Sequence, residues 1–465
     1  MYLRVVGRKK RRKKDRNTLS LMTPAEELVL HLVNLLAAAS FLFLAASRDA
    51  ILLYSTWFNR VPVHTSRLSG QQWIDELVNR HDRRFHNELG LRKHTFNKLI
   101  RVLGRDAGLV DTRHVSAEEQ LAIFLHYAHR GLSNRALQER FQRSADTVTK
   151  YASHIPIHVK CRNDRSHRCI HRILNALTSE KVYGTYVKLP TRNSPVPAEI
   201  RKSGDFWPFF RDCIGAIDGS HIPAFVPESM RVRFRDRKGQ ISQNVLAACS
   251  MNMEFLYVLP GWEGSAADSC VFENARRQDF RIPDGRYYLA DAGYGNCDAL
   301  LVPYRSVRYH LKEWGTSANR LVLIRSCISG IMTMSSPQNH KELFNFRHAW
   351  LRNVIEHIFG VVKRRFKVLV IAQEYSPEMQ SRLISGLAVI HNFIRAYDPS
   401  DLPEDSEMET VTGLSGEVER MTANLADQAV GSEERNRAAE CRDTITLAMW
   451  DDYQRNQQGR RACRA

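Results

Sequence analysis

A chain of 465 residues with 43% hydrophobic side chains is long enough for two or three compact units with substantial cores. That apolar content excludes a chain that is disordered as a whole. The net charge of +18 is unevenly spread, with nine Lys/Arg in the first sixteen residues, and fourteen acids against eight Arg from Asp401 onward. A basic head and body with an acidic tail points to a polyanionic partner, nucleic acid first.

The nine cysteines are odd in number and form no Cys-x-x-Cys pair, which argues for reduced thiols in a nuclear or cytosolic setting and against a zinc site. Arg8 to Lys14 is an unbroken basic run within a tail, residues 1–24, expected to be disordered; it reads as a nuclear import signal or a nucleic-acid arm. Leu28 to Ala46 is strongly apolar and barely reaches membrane-spanning length. His31, Asn34 and Ser40 interrupt it, so a buried helix of an N-terminal helical unit is expected, and no membrane.

An all-α unit is predicted over residues 25–189. Trp73, Leu77, Phe85, Leu89, Phe96, Leu99 and Leu103 recur mostly at helical spacing. Within it, residues 132–151 have the grammar of a helix-turn-helix, with Ser133 and Ser144 as N-caps and Thr147 and Lys150 offered to DNA by the second helix. Residues 190–204, with Pro190, Pro195 and Pro197, read as a linker into a domain spanning 205–398.

That domain opens on Cys213-Ile214-Gly215-Ala216-Ile217-Asp218-Gly219-Ser220, a short apolar run that reads as a strand buried on both faces and ends in a carboxylate. Strand-like runs follow at Asn244–Ser250 and Glu254–Pro260, then a helix opened near Asp268 and running towards Gln278. A further strand, Tyr287–Ala290, delivers Asp291 into a Gly turn. Leu351 to Val368 reads as a helix carrying Glu356, with Lys363, Arg364, Arg365 and Lys367 near its end. The order predicts a mixed sheet with helices on its faces. Asp218 and Asp291 then fall at neighbouring strand ends, Glu356 closes the set, and Asp268 adds a fourth oxygen donor. Crowded carboxylates need cations, and hard divalent ions, Mg²⁺ or Mn²⁺, suit oxygen ligands. A pair of them serves phosphodiester chemistry, and Arg233, Arg235, Lys238, Lys363, Arg364 and Arg365 suit phosphate-backbone contact.

Five ordered blocks carry a resemblance: Gly215-Ala216-Ile217-Asp218-Gly219-Ser220-His221-Ile222, Ser242-Gln243-Asn244-Val245-Leu246-Ala247, Gly264-Ser265-Ala266-Ala267-Asp268-Ser269, Leu289-Ala290-Asp291-Ala292-Gly293-Tyr294, and the run from Asn353 to Phe366 that holds Glu356. Together they resemble the PIF/Harbinger-type DDE transposases and their domesticated nuclease relatives. The resemblance implies an α/β, RNase H-like catalytic domain with a divalent-metal Asp-Asp-Glu site. Asp218 matches the first carboxylate and Glu356 the last, while the family motifs offer both Asp268 and Asp291 for the second; a strand-end position favours Asp291. It also implies a metal-dependent DNA endonuclease or transposase acting on double-stranded DNA in the nucleus, with a Myb/SANT-like protein partner and room for a homo-oligomer. The alternative is a domesticated, catalytically silent DNA- or chromatin-binding protein. Residues 152–167 and 317–336 depart from the pattern, either as insertions or as translated intron. Residues 399–434 read as an acidic disordered segment and 435–465 as a terminal helix and tail.

Overall fold

The computed structural model describes residues 23–58, 63–148, 169–308, 337–401 and 430–462, and the chain divides into two compact units, residues 1–65 and 66–465. The first unit holds the helix Pro24–Phe58, opened by a reciprocal cap in which Glu26 Oε2 accepts from the Thr23 N–H and Thr23 Oγ1 from the Glu26 N–H. It is long and apolar enough to cross a membrane by length and composition, with a mean hydropathy of 2.2. The burial expected for Leu28–Ala46 is not found, since none of that apolar window is buried. The helix is apolar all round, and its own unit offers no second element among the described residues to cover any face.

In the second unit the helical periodicity becomes the helices Gly70–Asn79, Asp82–Leu89, Lys93–Ala107 and Ala117–Arg130. Ser69 and Gln72 form a capping box, and Ser116 Oγ accepts from the Glu119 N–H at 3.0 Å. The helix-turn-helix segment begins as expected, with the helix Asn134–Phe141 capped by Ser133 and a turn through Gln142 in the left-handed region. Its second helix is described only over Ala145–Val148, and Lys150 lies outside the described residues. Thr147 is half-buried, its hydroxyl 3.1 Å from that of Ser144. The segments 152–167 and 317–336, and most of the acidic segment, also lie outside the described residues.

Five strands form one sheet: β1 (Cys213–Pro223), β2 (Ser242–Cys249), β3 (Phe255–Glu263), β4 (Tyr287–Leu289) and β5 (Leu300–Leu301), ordered β3-β2-β1-β4-β5. β1–β2 and β2–β3 are antiparallel, whereas β1–β4 and β4–β5 are parallel. Alternation along β2 sends Val245, Ala247 and Cys249 into one hydrophobic cluster and Leu246 and Ala248 into the other, so the sheet is buried on both faces. Gly215 is required where β1 meets β2, because a Cβ there would sit 2.0 Å from the Cys249 carbonyl oxygen.

One sheet face packs on the long helix His340–Arg365 and the helix Pro377–Tyr397, and the helices before residue 190 share that core through Phe85, Phe124 and Leu174. The segment 190–204 therefore joins elements of one core. The helix Pro377–Tyr397, which sequence patterning left unassigned, covers the edge strand β3. Its buried Asn392 accepts from the Phe255 N–H at 2.8 Å and donates to the Phe255 carbonyl at 2.7 Å, pairing backbone that an exposed edge would leave open. At the other edge the helix Ser432–Ala462 packs beside β5, where Tyr304 donates to Asp443 at 2.5 Å.

Asp401 belongs to this architecture and not to a solvated acidic segment. It is 4% exposed and pairs with buried Arg365 at 3.1 Å and with His86 at 2.8 Å. Arg365 also donates to the Gly90 carbonyl at 2.6 Å, so it ties the end of the long helix to the N-terminal helices. Removing one partner of a buried pair strands the other charge. Arg365→Ala is expected to cost about 3 kcal/mol, read as a lower urea midpoint with unchanged slope; a change under about 0.5 kcal/mol would show the tie to be dispensable.

Candidate active site

The site is built where β4 ends beside the middle of β1. Ala216 of β1 is level with Leu289 of β4, and each chain runs two residues further in the same direction to Asp218 and Asp291. Asp291 thus leaves the sheet just past β4, beside Asp218. Asp218 itself lies within β1, opposite Ala247 of β2, and not at the strand end expected from sequence, because β1 continues to Pro223 as a partner of β2. Asp218 Oδ1 accepts from the Gly219 N–H, and Asp291 Oδ1 from the Gly293 N–H, each at 2.9 Å.

Asp268 arrives from the far side as the first residue of the helix Asp268–Gln278, where a negative side chain is favoured by the helix N-terminus. Its Oδ1 accepts from Asn244 Nδ2 at 2.6 Å, and Asn244 is anchored through the same nitrogen to the Ala266 carbonyl at 3.1 Å. A Cβ at position 219 would lie 2.0 Å from Asp268 Oδ1, so a side chain there would push this carboxylate from its place beside β1. Glu356 stands on the long helix His340–Arg365, whose Asn339 N-cap accepts from the Glu342 N–H at 3.0 Å.

The arrangement is electrostatically loaded. Burial pushes the Asp218 carboxyl well above the usual carboxylate range; the Arg352 guanidinium opposes this, and the charges of Asp291, Asp268 and Glu356 add to it. Asp268 is pushed up to about 6, by burial first and by Asp291, against the hydrogen bond from Asn244. The four acids predicted from sequence therefore share one electrostatic environment.

Arg352 is the residue that sequence analysis missed. It donates through Nη1 to Asp218 Oδ2 at 2.9 Å and through Nη2 to Glu356 Oε1. The available signal was its position four residues before Glu356 on one helix face, the spacing at which opposite charges meet. Tyr294 and Asn244 were inside quoted motifs without a role. The hydroxyl of buried Tyr294 is pushed up by burial and by the fields of Asp268, Asp218 and Asp291.

The predicted cations divide. Arg233 is exposed and pairs with Glu263, Arg235 donates to the Gly239 carbonyl at 3.0 Å, and Lys238 is exposed in the same turn. Arg364 is half-buried on the long helix. Lys363 donates to Ser220 Oγ at 2.9 Å and to the His221 carbonyl at 3.0 Å, clamping the continuation of β1 onto the helix that carries Glu356; burial, with Lys238 nearby, brings it down to about 8. Arg365 is a correction: it is buried against Asp401 and Gly90 and offers nothing to a phosphate, because its place on the helix points it into the layer interface.

The donor set fits a hard divalent ion in its chemistry. It is all carboxylate, it carries excess negative charge, and Asn244 Oδ1 and Tyr294 Oη are buried beside it with no hydrogen-bond partner among the described residues. In this conformation no group of three or more His, Cys, Asp or Glu side chains among the described residues is gathered as a ready metal site, and Arg352 ties two of the acids instead.

Residues 217–392 match the family described as DDE superfamily endonuclease, and residues 65–161 match a family described as a domain of unknown function. Over 228 residues the chain is 24% identical to "Putative nuclease HARBI1" of Rattus norvegicus, covering 46% of this chain and 57% of that protein. The Homo sapiens protein of that name is 21% identical over 273 residues, covering 56% of this chain and 69% of the relative. The chain thus spans little more than half the length of the rat relative. No solved structure matches it.

A carboxyl group whose pKa is raised on folding holds its proton more tightly in the folded state. Its favourable contribution is present near pH 4 and is lost as the pH rises through about 6. In metal-free buffer the protein is therefore expected to lose stability between pH 4 and 6, by on the order of 2 kcal/mol for Asp268 alone. Asp218 adds in the same direction. Asp268→Asn should flatten that slope in chemical denaturation run at several pH values; an identical slope in the variant would remove Asp268 from the cluster.

Proposed function

We propose that this chain, whose residues 217–392 belong to the DDE endonuclease superfamily, is a Harbinger-type, divalent-metal-dependent DNA nuclease. The observation that carries the reading is that Asp218 within β1 and Asp291 just past β4 each follow the Ala216–Leu289 pair by two residues, with Asp268 and Glu356 brought into the same field. The strand order, three antiparallel strands continued by two parallel ones, supports an RNase H-like domain.

Asp218, Asp291 and Glu356, with Asp268 as an additional oxygen donor, would hold Mg²⁺ or Mn²⁺, which when bound supply the Lewis acidity that phosphodiester hydrolysis or strand joining needs. The chain's own residues set the stage for it. Gly219 lets Asp268 approach β1, and Asn244 fixes the Asp268 carboxylate against rotation. Lys363 locks the rim of β1 to the helix of Glu356, so two acids far apart in sequence keep one spacing. The exposed turn holding Arg233, Arg235 and Lys238, together with Lys363 and Arg364, lies on the phosphate side of this reading and positions a duplex without reading its bases. Double-stranded DNA is the substrate proposed, with action in the nucleus alongside a Myb/SANT-like partner and with homo-oligomers formed on the DNA ends.

A second reading, a catalytically silent DNA-binding protein that kept the fold, is favoured by one observation: Arg352 already bridges Asp218 and Glu356. Nicking of a terminal-inverted-repeat duplex separates the two. With Mg²⁺ or Mn²⁺ the protein should nick it, and Asp218→Ala or Glu356→Ala should cut the rate by at least about 100-fold while gel-shift affinity persists. Wild-type protein that binds the duplex and never nicks it would select the silent reading; nicking that survives either substitution would remove that residue from the site.

A further inference from the structure

The acid cluster contains its own cation. Arg352 is about 10% exposed at its side chain and spreads its guanidinium over two carboxylates from different elements, Asp218 within β1 and Glu356 one helical turn along its own helix. Asp218 is 134 residues away in sequence, so that contact is made by the tertiary fold. Also facing the cluster are Asp268 and Asp291, which add negative charge, Tyr294, which adds none, and Arg237, whose positive charge acts on Asp268 and not on the Asp218–Glu356 pair.

We infer that Arg352 is the internal counter-cation of this site, holding Asp218 and Glu356 together in the metal-free protein and yielding their oxygens when a divalent cation enters. The inference rests on the metal-nuclease reading above. Both Asp218 oxygens are engaged, Oδ1 by the Gly219 N–H and Oδ2 by Arg352 Nη1. The Gly219 bond is local to the strand and persists with the backbone, so the contact at Oδ2 is the one that can yield to an ion. The oxygen has a second lone pair, but two cations on one oxygen repel each other at close range. The same conflict applies at Glu356 Oε1. Ion entry and the Arg352 bridge are thus alternatives at the same atoms, and each weakens the other reciprocally. Arg352 is on this account a positioning residue: it keeps the rim of β1 and the helix of Glu356 in register while the site is empty of metal, without itself touching the reacting phosphate.

The test measures Mn²⁺ binding without DNA, by titration calorimetry and by the loss of the free-ion paramagnetic signal, on full-length wild type, Arg352→Gln and Arg352→Lys. Arg352→Gln should bind Mn²⁺ at least about tenfold more tightly, within the usual range of coupling between two ligands for one site. Its metal-free melting midpoint should fall, and its Mn²⁺-induced rise should exceed that of wild type. Arg352→Lys, which keeps the charge and loses the fork, should fall between the two. Asp218→Asn added to Arg352→Gln should abolish the gain and so locate it at this site. Equal or weaker Mn²⁺ affinity in a folded Arg352→Gln, or in Arg352→Lys if the first variant fails to fold, overturns the inference while leaving the metal-site reading standing. Absence of Mn²⁺ binding in wild type and both variants overturns that reading and the inference together.

Discussion

Four carboxylates brought to one rim of a sheet cannot all stay ionised unless positive charge meets them, and most of this molecule's site architecture answers that constraint. The concentration of charge follows from topology: parallel pairing of β1 with β4 sets the end of β4 against the middle of β1, and each carries an Asp two residues past the same rung. Asp268 joins at a helix N-terminus and Glu356 from the long helix packed on the sheet. The answer present in the chain is the guanidinium of Arg352, and the answer we propose for the active protein is a divalent ion.

Holding that rim in shape is the task of the layers behind it. Asn392 closes the β3 edge, the C-terminal helix packs beside the β5 edge, and Arg365 with Asp401 anchors the far end of the Glu356 helix to the N-terminal helices. The long helix is therefore gripped at both levels, by Lys363 near the site and by Arg365 beyond it. Residues two positions apart on that helix have opposite assignments, Lys363 towards β1 and Arg365 into the interior. This is what a helix of 3.6 residues per turn does to a basic run when one of its faces is a layer interface.

The N-terminal helices are part of this support and share its core, although the proline-rich stretch at 190–204 suggested separate bodies. Prolines mark where a chain must turn without helical or sheet hydrogen bonds, and a turn can join two layers of one core as readily as two domains. The helix Pro24–Phe58 presents the opposite case. An amphipathic stripe would have told it where to pack, but its apolar residues surround the whole circumference, and its own unit supplies no partner among the described residues.

The amino-acid sequence by itself determined the strands, the four acids and their order, because short apolar runs punctuated by glycine have few conformations open to them and because carboxylates at such run-ends are costly without a purpose. It also determined the helices before residue 148, through apolar spacing and serine caps that act within a few residues. The helix Pro377–Tyr397 escaped because it is buried on most sides, so its pattern lacked contrast, and β5 escaped because two residues carry no period. Only the tertiary structure decided that Arg352 bridges Asp218 to Glu356, that Arg365 turns inward to Asp401, and that Asn392 seals an edge strand 137 residues away. Each of those choices depends on a partner brought near by folding, and a charged or amide side chain looks the same in sequence whether it meets water, a phosphate or a buried neighbour.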